Sequence, residues 1–87
     1  MPVFMVERNL QGISMEDLAG AQKAAIATAE DMSGSGVPIR YLRSTFTPES
    51  GRCQCLFESA SADRVRALND TANLPYEQVV EVLDLAP

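Results

Sequence analysis

Three charged residues and two cysteines have the types and spacing to do chemistry in this sequence. Glu7 closes the first apolar segment, Glu81 lies in the last, and Arg43 falls between them. On one face of a sheet, two carboxylates beside a fixed cation could bind a small ligand, hold a metal ion, or tune a carboxylate as a base. The competing reading is an ion cluster that stabilises an interface. Tyr41 and Gln54 are assigned to the same face, so the ligand-binding set is Glu7, Tyr41, Arg43, Gln54 and Glu81.

Cys53 and Cys55 are one residue apart. On a strand they point the same way with α-carbons roughly 6.5–7 Å apart, which suits chelation of a soft metal better than a disulfide. They form the candidate metal pair. Against that stands core packing, expected for Cys55, with Cys53 nearer the turn and more reachable. The chain has no histidine, and so lacks the commonest metal ligand and the commonest general base.

The elements that must position these groups follow from punctuation and periodicity. Pro2 to Arg8 is a short apolar run ending in charge, as expected of a strand, with a solvated strand end as the alternative reading of Glu7-Arg8. Ser14 caps a helix from Met15 to about Met32, where Leu18, Ala21, Ala25, Ala29 and Met32 form one face. Ser33-Gly34-Ser35-Gly36 is a linker, without the lysine of a phosphate loop. Ile39 to Glu58 is a hairpin around Thr47-Pro48-Glu49-Ser50-Gly51. A second helix spans about Ala62 to Thr71, and a last strand falls within Tyr76 to Leu85. The order predicts an α+β fold over residues 1–87: a ferredoxin-like βαββαβ sandwich, with two helices on one face of a four-stranded antiparallel sheet.

Parity then sorts each strand. Phe4, Val6, Leu42, Cys55, Phe57, Val80 and Val82 are expected against the helices. The open face receives Met5, Glu7, Tyr41, Arg43, Gln54, Leu56, Val79 and Glu81. So apolar a surface predicts a homodimer, sheet face to sheet face. Tyr41, Phe46 and Tyr76 are read as core or interface, with a pocket lining as the alternative.

Composition bounds the rest. With 87 residues, 46% of them hydrophobic, this is one small domain, and a net charge of −5 gives no basic face for nucleic acid or an anionic membrane. No apolar run approaches the ~20 residues of a membrane span, no signal-peptide pattern is visible, and a cytoplasmic home is expected.

Glu7-Arg8, Gly12, Tyr41-Leu42-Arg43-Ser44, Cys55-Leu56-Phe57-Glu58 and Val80-Glu81-Val82 resemble a family of small bacterial proteins of unknown function. Its characterised representative is a nickel-binding protein. The resemblance implies a ferredoxin-like fold, a dimer, and a divalent metal such as nickel. Family members often carry histidine where this chain has Arg43, which leaves Cys53, Cys55 and carboxylates as donors.

Three functions follow. The first is a homodimeric module that binds a small ligand or divalent metal through its open face. The second is a small dimeric α+β-barrel enzyme of isomerase or monooxygenase type, with Glu7 or Glu81 as base and Arg43 as anion anchor. The third is an accessory subunit that docks a larger partner.

Overall fold

The computed structural model describes residues 1–87. Its elements run β1 (Val3–Asn9), α1 (Met15–Gly34), β2 (Ile39–Thr47), β3 (Arg52–Ser59), α2 (Ala62–Thr71) and β4 (Gln78–Val82). The four strands form one sheet in the order β2-β3-β1-β4, every neighbouring pair antiparallel. This is the expected ferredoxin-like α+β arrangement.

Both helices start on a serine whose side chain satisfies an orphan backbone donor. Ser14 Oγ accepts from the Asp17 amide at 3.1 Å, and Ser61 Oγ from the Arg64 amide at 3.3 Å. Each helix ends in a left-handed residue: Gly36 (φ 89°) after α1 and Asn73 (φ 56°) after α2. There the Val37 amide reaches back to the Met32 carbonyl and the Leu74 amide to the Asn69 carbonyl, both at 2.9 Å. These 6→1 bonds terminate the helices.

The core lies between the helices and one sheet face: Phe4, Val6, Cys53, Cys55, Phe57 and Val79 below, Ala25, Ala29, Val65 and Leu68 above, with Ile39 at one end. Phe57, Val6, Val65 and Leu68 are fully buried.

Two strands depart from the expected parity. A bulge in β2 lies between Tyr41, opposite Phe57, and Arg43, opposite Leu56. One extra residue, Leu42, reverses the alternation. Tyr41 before the bulge and Ser44 and Phe46 after it therefore all share the helix side. On β4, Val79 pairs with Val6 and Glu81 with Phe4, which gives the helix side to Val79 and Glu81 and the open face to Val80 and Val82. Tyr41, Val79 and Glu81 thus leave the predicted open face, and Val80 and Val82 join it.

Candidate functional site

A cavity of about 150 Å³ lies between α1 and the sheet. Its roof is α1, where Ala21 and Ala25 are too short to fill the space; its floor includes Cys53, Cys55, Tyr41, Ser44 and Phe46. Arg8 also lines it.

Polar groups along the cavity form a chain in which each donor has one acceptor. Gln22 Nε2 donates to the Tyr41 hydroxyl (3.1 Å) and Ser44 Oγ donates to Cys55 Sγ (2.9 Å). Between them the Tyr41 and Ser44 oxygens stand 2.7 Å apart. Since Ser44 gives its proton to sulfur, Tyr41 is the donor to Ser44. The chain ends at the two sulfurs, 3.8 Å apart.

Cys53 is 2% exposed, so its expected reachability is corrected: it faces α1 with Cys55. Burial, with the neighbouring Cys55 thiol, pushes the Cys53 thiol well above its ordinary range despite the opposing charge of Arg8. At neutral pH it is a neutral thiol.

Arg8 is also corrected. It shares the parity of Phe4 and Val6 and is only 3% exposed, not a solvated strand end. Its Nη1 donates to the Pro75 carbonyl at 3.0 Å, while Nη2 has no partner, and Arg8 enters no ion pair. The alternation of β1 carries the signal, since Arg8 continues the inward series of Phe4 and Val6. Ser44 lies on the helix side that the parity of Leu42 gives it, opposite Cys55, and the β2 bulge brings Tyr41 to the same side.

The open-face residues gather differently from the expected set. Glu7 and Gln54 are paired neighbours on β1 and β3. Glu7 bonds Arg52, whose Nη2 also reaches Glu77 Oε1 at 2.7 Å. Gln54 accepts from Thr45 Oγ1 at 2.9 Å. Arg43 pairs with Asp84. Because β2 and β4 are opposite edges of the sheet, this bond draws the segment after β4 across the open face. Glu81 and Tyr41 lie on the other side. The Glu7–Arg43–Glu81 constellation does not assemble, and the base-and-anchor chemistry built on it has no geometry.

Nickel must be tested against these donors. Two sulfurs bound at about 2.3 Å to one tetrahedral ion would stand roughly 3.8 Å apart, so the Cys53–Cys55 separation suits co-ligation. The surroundings do not: the Cys53 thiol is held neutral, Arg8 adds a positive charge, and no three His, Cys, Asp or Glu side chains gather in the chain. One chain alone does not furnish a nickel centre at its thiols.

A βαββαβ chain with both helices on one side of an antiparallel sheet, a half-open cavity beneath the first of them and an apolar, ion-paired reverse is a ferredoxin-like α+β protein. The family model described as nickel responsive protein SCO4226-like matches residues 4–82, and the chain belongs to that family. Among solved structures it is similar to SCO4226 from Streptomyces coelicolor A3(2), known from a crystal structure: TM-score 0.79, 27% identity, 97% of this chain and 99% of that one covered. Among curated proteins none matches. No helix is long and apolar enough to cross a membrane.

Proposed function

We propose that the chain is a homodimeric binding protein of a nickel response, with two copies meeting through their open sheet faces and a divalent ion or small ligand held at the rim of that contact. The observation that carries this reading is the layout of the face. Met5 lies between Leu56 and Val80, and Val3 is paired with Val82, giving an apolar strip across three strands. Val80 is 37% exposed and Leu85, beyond β4, is 86% exposed. Around the strip alternate cations and anions: Arg43 with Asp84, Arg52 with Glu7 and Glu77, Arg40 with Glu58. A two-fold contact lets such a surface meet itself, acid against base.

The rim carboxylates are the donors for the ion. Glu7 and Glu77 converge on Arg52 in one chain, and a second copy would bring a second set. The family description supports nickel as the ion to try first. Sedimentation equilibrium with and without nickel chloride, beside calorimetric titration, tests the reading. A dimer that Val80→Glu dissociates, with nickel heat lost in Glu7→Gln/Glu77→Gln, is expected. A monomer under both conditions, with no heat, overturns it.

A further inference from the structure

The cavity beneath α1 is a second site, on the opposite side of the sheet from the face just described, and its anchor is a charge with no counterpart. Taking a guanidinium out of water costs several kcal/mol unless an anion compensates it. Arg8 is buried, contributes only Nη1 to a carbonyl, and has Nη2 unpartnered. No carboxylate pairs with it, and Cys53, directly across the β1–β3 ladder, keeps its thiol proton. The charge is therefore unmatched inside the fold.

The rest of the lining sets what could match it. Leu10, Leu18, Ala21, Ala25 and Phe46 make most of the wall apolar, while Tyr41 and Ser44 add hydroxyls on the β2 side. A hydrated metal cation would meet Arg8 and a hydrocarbon wall. An inorganic dianion would leave one charge unmatched and the apolar wall unfilled. A volume of about 150 Å³ is that of a cavity able to hold a benzene-sized body. We infer that the cavity between α1 and the sheet binds a small organic monocarboxylate, its carboxylate on Arg8 and its hydrocarbon part, about six to nine non-hydrogen atoms in all, against Leu18, Ala21, Ala25 and Phe46. The acid pairs with the guanidinium through charge-assisted hydrogen bonds, the strong kind.

The position of Arg8 gives such a ligand a mechanical reach. Through Nη1, Arg8 holds the Pro75 carbonyl, in the segment joining α2 to β4. An anion seated on the guanidinium would fix its plane and with it the segment that leads into β4.

The test is an NMR titration of uniformly labelled protein with benzoate and isovalerate, at matched ionic strength, with benzamide as the neutral isostere and sodium phosphate as the inorganic anion. Saturable shifts at Ala21, Ala25, Ser44, Cys53 and the Arg8 side chain are expected with the carboxylates only. At ligand ten times its Kd, the melting temperature should rise roughly 5–10 °C. Arg8→Met should weaken binding about thirtyfold or more, as loss of a buried charge partner does. Ala21→Leu, which leaves Arg8 in place and fills the space, should abolish binding and serves if Arg8→Met fails to fold. Equal shifts with benzamide, response to phosphate alone, or shifts confined to the exposed arginines overturn the inference. So does binding unchanged in Ala21→Leu.

Discussion

The hydroxyls of Tyr41 and Ser44 lie 2.7 Å apart on one side of the sheet, although three positions separate them on the same strand. In a regular strand such residues face opposite ways. The bulge between Tyr41 and Arg43 cancels that alternation and turns the Tyr41 oxygen to the side Ser44 already holds, under α1. The chain from Gln22 through Tyr41 and Ser44 to Cys55 is a consequence of one inserted residue.

Because these hydroxyls bond each other, their contributions should be coupled. Tyr41→Phe and Ser44→Ala should each cost about 1 kcal/mol, and the double variant less than their sum by about 0.5–1.5 kcal/mol. Urea denaturation of the four proteins measures this. Strict additivity would mean the two oxygens do not share a proton.

The thiols give a pH signature. Cys53 has a folded pKa raised above its ordinary value of 9.0, by burial first and by Cys55 second. Below pH 9 both folded and unfolded chains keep the proton, and the contribution to stability is complete. As the pH rises past about 9 the unfolded thiol ionises first, so the unfolded state binds fewer protons and stability falls. Urea midpoints should therefore decline from pH 8.5 to 10.5, and the decline should shrink in Cys53→Ala. At pH 8 a thiol-specific disulfide reagent should label the native protein far more slowly than the unfolded chain. Rapid labelling of native Cys53 would contradict its burial.

Gly51 and Gly12 separate two reasons for glycine. Both have positive φ, 75° and 85°. A Cβ on Gly51 would overlap the backbone of Gln11, whereas one on Gly12 meets nothing within 4 Å. The Gly51 carbonyl also accepts from the Leu10 amide at 2.7 Å, joining the hairpin turn to the β1–α1 loop. Gly12→Ala should cost about 1–2 kcal/mol, the left-handed penalty alone. Gly51→Ala should cost clearly more, because the contacting atoms are backbone and cannot step aside. Equal losses of thermal stability in the two variants would refute the distinction.

Element order was readable in the sequence because Ser14, Ser61, Gly36, Gly51 and Pro75 each mark a boundary for a local reason, and local reasons need no partner. Facing was readable where alternation ran unbroken: Phe4 and Val6 on β1, Cys55 and Phe57 on β3. It failed at β2, since a bulge has no signature in Tyr41-Leu42-Arg43, and at β4, where Val79, Val80 and Val82 offer an apolar residue to either face. Both failures fell on the candidate site. Tyr41 and Glu81 changed sides, and the cavity, made by what Ala21 and Ala25 lack, has no residue of its own to announce it. Arg8 needed one more step of the β1 alternation.

The ion cluster on the open face joins stability to the proposed metal role. Arg52 holds Glu77 at 2.7 Å and also bonds Glu7. The hydrogen bond Arg52 donates to Glu77 pulls the Glu77 carboxyl below its ordinary value of 4.5, against a smaller opposing effect of burial. A depressed folded pKa contributes stability that is present above about pH 4.5 and lost as the pH falls through the folded value. Arg52→Met should return Glu77 to the ordinary glutamate range, seen by carboxyl-carbon NMR titration, and should flatten the acid limb of the stability curve. The same substitution removes a cation from between two carboxylates, so nickel should bind the variant more tightly than the parent. If Glu77 titrates unchanged in Arg52→Met, the cluster does not hold in solution. If it shifts while nickel affinity stays level or falls, Glu7 and Glu77 are not the donors, and the rim has to be sought at Asp84 and Glu58 instead.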